Sequence, residues 1–110
     1  MRGSVVIVSF PFSDLSGAKR RPALVLATLP RGDLVLCQIT SRPVTSSHAV
    51  RLTDDDFERG NLRTASTIRT DKLFTLHESL VLRTVGVVSR AKLQEVLQDV
   101  ISGVFESGDV

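Results

Sequence analysis

The chain has 110 residues, enough to bury one core and too few for two. Apolar residues make up 42% and charged residues 24%, which fits a folded soluble domain and excludes an intrinsically disordered one. The formal net charge of +2 permits a nucleic-acid partner without requiring one, because what counts is whether the cations cluster.

The single cysteine, Cys37, cannot close an internal disulfide, so a reducing compartment is expected. The apolar run that follows Arg2 is cut short by Ser9 and Pro11, which leaves no signal-peptide core. No apolar stretch approaches the roughly 20 residues needed to cross a bilayer. A cytoplasmic protein is expected, with residues 1–110 as one domain: a sheet over about 4–88 and a helix over about 89–105.

In chain order, residues 5–10 are a β-branched run between Gly3 and Pro11, too short for a helix and readable as a buried strand. Ser13-Asp14-Leu15-Ser16-Gly17 is turn chemistry. It leads into Lys19-Arg20-Arg21-Pro22-Ala23-Leu24-Val25-Leu26, three cations, a proline and a strand-forming run. Proline disfavours the helical region for the residue before it, so Arg21 is expected to be extended at the mouth of a second strand, 21–28. Its planar fork could there hold a phosphate bidentately. Taken as a tripeptide alone, the same cations read as a solvated loop. Pro30-Arg31-Gly32-Asp33 then turns the chain into a third strand, 34–40, completing an antiparallel meander.

Residues 41–48 are rich in Ser, Thr and Pro and read as a loop; 49–52 read as a short strand. Thr53 as N-cap, Asp54, Asp55 and Asp56 in a first turn, and Gly60 as a stop predict a helix of one or two turns. The helix macrodipole accounts for the three carboxylates, whereas a Mg²⁺ site would need them to converge and contiguous spacing points them apart. A strand is expected over 66–73 with Arg69 and Asp71 on one face. A turn over 75–79 and a strand over 80–88 follow, with Gly86 marking a bulge or bend.

Ser89 caps the one long helix. Leu93, Val96, Leu97, Val100, Ile101 and Val104 recur at i, i+3, i+4 and predict the face that packs on the sheet. Arg90, Lys92, Glu95, Gln98 and Asp99 take the other face. Many short strands followed by one terminal helix predict a mainly β fold with a C-terminal helix (α+β), built as a strongly bent sheet or small barrel.

Little in this inventory is reactive by itself. His48 and His77 have no local ligand partner and read as loop histidines. Cys37 lies mid-strand among apolar residues and reads as a buried, inert thiol. No serine or threonine has a base beside it in sequence. The polar residues left at strand ends are Arg21, Thr40 with Ser41, and Arg69 with Asp71. On spacing alone, Arg69 and Asp71 are an exposed ion pair worth under about 1 kcal/mol.

The order Gly3…Val5-Val6-Ile7-Val8-Ser9-Phe10-Pro11-Phe12, then Lys19 to Leu26, resembles the start of MazF/PemK-type toxins, the toxin halves of bacterial toxin–antitoxin pairs. The likeness continues through Gln38-Ile39-Thr40-Ser41, Ser66-Thr67-Ile68-Arg69-Thr70-Asp71-Lys72-Leu73 and Val85-Gly86-Val87-Val88-Ser89 into the final helix. The resemblance implies an SH3-like small barrel of the CcdB/PemK/MazF type, usually a homodimer. It implies a sequence-specific endoribonuclease (an mRNA interferase) that cuts single-stranded RNA without metal or cofactor. RNA carries its own nucleophile, the 2′-OH beside the scissile phosphate.

By that likeness Arg21 matches the catalytic arginine and Thr40 the catalytic hydroxyl. Arg69 and Asp71 match a second pair that some members use as acid and base. RNA contacts are then expected at Lys19, Arg20, Ser41 and Arg42. With no Trp or Tyr, base stacking falls to Phe12, which would serve equally as core, or to arginine planes. The implied partner is a cognate antitoxin, expected to be short and acidic and to fold as it binds. Ser4 stands where many relatives have Asp, and the segment 13–19 lacks the Glu or His that some place there. Two other functions suit the same fold: a non-catalytic gyrase poison of CcdB type, which lacks the Arg-Pro corner and ends in Trp-Gly-Ile, and an inactive member that only binds its antitoxin.

Overall fold

Runs of β-branched and aliphatic residues broken by Gly, Pro and Asp favour short strands over helices. The computed structural model describes residues 1–10, 19–45 and 47–106. They form β1 (Ser4–Phe10), β2 (Lys19–Thr28), β3 (Asp33–Thr40), β4 (Ala49–Leu52), β5 (Phe57–Gly60), β6 (Ser66–His77), β7 (Val81–Val88) and α1 (Arg90–Gln98). The helix continues as a π-helical segment, Asp99–Phe105. Ser89 caps it as expected, its hydroxyl accepting the Lys92 N–H at 3.1 Å.

All seven strands join one antiparallel sheet in the order β4-β6-β3-β2-β1-β7-β5. β1, β2 and β3 form the expected meander. The sheet curls into a half-barrel whose central strands are buried on both faces. Val5, Leu24, Cys37 and Ile68 pack with Val96 and Val100 of the helix. Val6, Val8, Ala23, Val25 and Leu36 form a second cluster. Burial on both faces is why 5–8 is a continuous apolar run and not an alternating one. Between β1 and β7 the register passes from Val5↔Gly86 to Val6↔Thr84, so Val85 is the extra residue of a bulge at the glycine.

Three boundaries differ from those expected. β2 begins at Lys19 because Lys19 and Arg20 pair with Phe10 and Ser9. Arg21 is therefore the third residue of its strand, not the mouth. β6 runs on to His77 because β3 keeps pairing with it as far as Asp33↔His77. The expected turn over 75–79 shrinks to a 3₁₀ turn, Glu78–Leu80, and β7 starts after it.

The helix expected after Thr53 is corrected. Only Asp54–Asp56 winds, as a single 3₁₀ turn, with the Thr53 N–H donating to Asp56 Oδ2 at 2.8 Å. Phe57–Gly60 is instead a strand on β7, where an open strand edge outweighs weak local helix signals.

The terminal helix also departs from its simple stripe. Val96 and Val100 are buried, but Ile101 is 51% exposed. A π segment has a wider turn than an α-helix, so Ile101 rotates off the expected face while Val100 stays on it. Lys92 is not solvated either; its Nζ donates to Arg51 O at 3.0 Å and pairs with Glu95 at 2.8 Å. Asp99 turns inward to accept from the hydroxyl of buried Thr70.

Candidate functional site

The sheet register builds the site. β1 pairs Val8 with Arg21 and Ile7 with Pro22, which keeps the Arg-Pro corner extended inside a ladder. β3 pairs Gln38 with Ala23 and Thr40 with Thr67, which brings the end of β3 alongside that corner. Around it lies an open groove of about 400 Å³. Lys19, Arg20 and Arg21 line it from β2, and Thr40, Ser41 and Arg42 line it from β3 and the chain beyond. A neighbouring hollow of about 280 Å³ shares Arg21, Thr40 and Arg42 and adds Gln38 and Arg69. Arg21 and Thr40 thus stand at the divide between the two.

Arg21 is held from below. Its guanidinium carbon lies 5.9 Å from the centre of the Phe10 ring, within cation–π range. Phe10 in turn meets Phe74 edge-on at 5.1 Å. The Arg21 Nε is buried and has no hydrogen-bond partner among the described residues. Nearly all buried donors in folded proteins are satisfied, so an orphan of this kind calls for an acceptor.

Thr40 is committed on one side only. Its Oγ1 accepts the Arg42 N–H at 3.1 Å, which leaves the hydroxyl proton to be donated. No described residue lining the groove is a carboxylate. Lys19, Arg20, Arg21 and Arg42 are donors without acceptor capacity. The groove therefore presents a surface suited to an anion.

Arg69 and Asp71 are paired as their spacing predicts. Arg69 Nε donates to Asp71 Oδ1 and Nη2 to Oδ2, both at 2.9 Å. That bond to the carboxylate raises the Arg69 guanidinium above its ordinary value. The β3–β6 register jumps from Cys37↔Leu73 to Gln38↔Arg69, leaving Thr70, Asp71 and Lys72 out of the ladder. Arg69 reaches the hollow beside Arg21, whereas Asp71 lines neither cavity and joins the site through Arg69.

The remaining candidates fall outside. Cys37 is fully buried, and desolvation pushes its thiol up to about 12, which keeps it protonated and unreactive. His77 accepts the Ser79 N–H at Nδ1 and faces Arg31 O from Nε2 at 3.0 Å, a pattern that puts its proton on Nε2 and pins a turn. Phe12 lies outside the described residues.

The sequence reading missed one wall of the groove: Leu62, Arg63 and Thr64, from the chain between β5 and β6. A signal was there. Arg63-Thr64 repeats, just ahead of a strand, the hydroxyl-plus-arginine grouping of Thr40-Ser41-Arg42.

A seven-stranded half-barrel backed by one helix, with a groove of cations and hydroxyls at the β2–β3 edge, has the architecture of a MazF-like fold. It superposes on a MazE–MazF crystal structure from Deinococcus radiodurans with a TM-score of 0.72 at 23% identity, covering 94% of each chain. The Mycobacterium tuberculosis toxin MazF-mt6 gives 0.68 at 20% identity, covering 94% of this chain and 96% of that one. An endoribonuclease from mycobacterial species, solved with its cognate antitoxin, gives 0.67 at 19% identity over 94% and 95%. These likenesses show the fold. A search of curated protein sequences finds no match. Residues 1–103 match the model of the PemK-like, MazF-like toxins of type II toxin–antitoxin systems, and the chain belongs to that family.

Proposed function

We propose that this toxin is a metal-independent, sequence-specific endoribonuclease that cuts single-stranded RNA in the cytoplasm, acts as a homodimer and is restrained by a cognate antitoxin. The observation that carries the reading is the buried Nε of Arg21, without a partner among the described residues, in a groove shared with a Thr40 hydroxyl that donates to none of them. The mycobacterial relative solved with its antitoxin supports the partner.

The chemistry asks little of the protein. The RNA 2′-oxygen adds to the scissile phosphorus, the 5′-oxygen departs, and a 2′,3′-cyclic phosphate remains. The protein must neutralise the charge that builds on the phosphoryl oxygens. Arg21 offers its fork, Thr40 a hydroxyl and Arg69 a second guanidinium, all held in place before reaction; one such donor is worth about 10²–10³ in rate. Guanidinium does not give up its proton near neutrality, so Arg21 stabilises the phosphorane and is not an acid. Asp71 is occupied by Arg69 on both oxygens and positions it. The 2′-OH proton passes to water in the open groove, and water gives a proton to the departing 5′-oxygen, which leaves as a 5′-hydroxyl. Lys19, Arg20, Ser41 and Arg42 hold the strand.

The test is incubation of purified protein with single-stranded RNA in EDTA, beside Arg21→Ala. Cleavage by the wild type and its loss in the variant support the reading. Intact RNA with trapped gyrase–DNA complexes would replace it with a gyrase poison, and intact RNA with antitoxin binding alone would leave an inactive member.

A further inference from the structure

Arg63 belongs to no strand and to none of the ion pairs among the described residues, yet it lines the same groove as Arg21 and Thr40. The segment that carries it is fixed at both ends. Gly60 leaves β5 at φ +71°, packed so closely on β7 that a Cβ would lie 2.1 Å from Val85 O. At the other end the hydroxyl of buried Ser66 donates to Thr64 O at 2.8 Å, and Leu62 packs against the core. An exposed arginine on a segment pinned this way is aimed, and none of its five N–H donors is committed to another described residue.

Position suggests what it takes. Thr40 pairs with Thr67, and Arg63 is four residues upstream of Thr67, within about 14 Å along even a fully extended chain. Arg63 enters the groove from the chain between β5 and β6 and Arg21 from β2, so a strand lying along the groove offers each a phosphate of its own. On its other side Arg63 borders a hollow lined by Asp54 and Asp55. Cations thus line the groove on one side of this residue and carboxylates stand on the other, an arrangement that favours a polyanion up to Arg63 and disfavours it beyond.

Resting on the nuclease reading, we infer that Arg63 binds a backbone phosphate of the RNA flanking the cut and marks the end of the strand's track, with Asp54 and Asp55 as the boundary. It is a substrate-binding residue, not part of the reacting centre.

The probe is a random-sequence pool of single-stranded DNA about 12 nucleotides long, which lacks the 2′-OH and cannot be cut by this route. Arg63→Ala is expected to weaken its binding several-fold and to reduce the slope of log Kd against log salt by roughly 0.7, one single-strand phosphate. Arg63→Lys should keep most of the affinity, since an exposed contact to a flanking phosphate, unlike the buried fork of Arg21, is served by a point charge. Asp54→Asn combined with Asp55→Asn should tighten binding about two- to fivefold by removing the repulsion. On RNA, Arg63→Ala should raise KM and leave kcat within about twofold.

An unchanged salt slope in Arg63→Ala would overturn the inference. So would an altered cleavage motif with affinity intact, which would make Arg63 a reader of bases, or a kcat loss as deep as that of Arg21→Ala. Weaker binding by the Asp54 and Asp55 double variant would remove the boundary. Should Arg21→Ala leave RNA cleavage intact, the nuclease site is wrong, while the DNA-binding slope still reports on Arg63 by itself.

Discussion

Arg69 grips Asp71 with two parallel bonds of 2.9 Å each, from positions two apart on β6. Such a fork fixes the plane of the guanidinium, and only Arg69 of the two reaches the hollow beside Arg21. Asp71→Asn is expected to lower kcat about 10²-fold through misplacement of Arg69, and Arg69→Lys to do much the same. With water taking the 2′-OH proton, the wild-type rate is expected to rise with pH, and both variants should keep that rise because Asp71 positions Arg69 and takes no proton itself. A pH–rate profile decides the matter. If the acid limb vanishes in Asp71→Asn alone, Asp71 is the general base.

Arg21 carries the heaviest prediction. Arg21→Ala should reduce kcat by about 10²–10³ with the fold unchanged by circular dichroism. Arg21→Lys restores charge without a planar fork or a buried Nε and should recover little of that loss. Near-full cleavage by the lysine variant would mean that charge alone suffices.

Gly60→Ala tests the pairing that aims the 61–65 segment. Its φ of +71° and the 2.1 Å approach to Val85 O leave no room for a side chain. A loss of about 1–3 kcal/mol is expected from the backbone conformation alone, and the clash adds to it. Gly86→Ala meets Arg59 O and the Phe57 ring at 2.7 Å and should also destabilise. Urea midpoints measure both, and an unmoved midpoint would contradict the β5–β7 contact.

Cys37 makes stability fall at alkaline pH. In the unfolded chain its thiol ionises at about 8.5, as free cysteine does, while burial holds it protonated to about 12 in the fold. Its contribution is complete below the unfolded value and is lost as pH rises toward the folded one. Stability measured in urea should therefore drop between about pH 8.5 and 10, and Cys37→Ala should show a shallower decline from a lower start. Equal slopes would mean that the thiol is not shielded from water.

Much of this architecture was legible because it is local. The runs 5–10 and 34–40, fenced by Gly, Pro and Asp, could be little else than strands, and a period of two placed Arg69 beside Asp71. The meeting of Arg21 with Thr40 was legible only through motif likeness, since it depends on the β2–β3 register, which no window of sequence displays. Phe57 to Gly60 misled because Thr53 and three aspartates announce a helix, and the open edge of β7 decides otherwise. The π segment opens at Asp99, whose carboxylate accepts from Thr70, far away in the chain. Arg63 was overlooked for a related reason: its place in the groove follows from where β6 begins relative to the end of β3.

Thr70 sits between Arg69 and Asp71, wholly buried, and its hydroxyl is tied to Asp99 at the start of the π segment. Its N–H, meanwhile, goes to His48 O at 3.2 Å. The stretch of β6 that leaves the ladder is thus held from behind by Asp99 of the terminal helix and by His48 ahead of β4. The guanidinium of Arg69 and the carboxylate of Asp71, one residue to either side, therefore stand on a backbone that the terminal helix anchors.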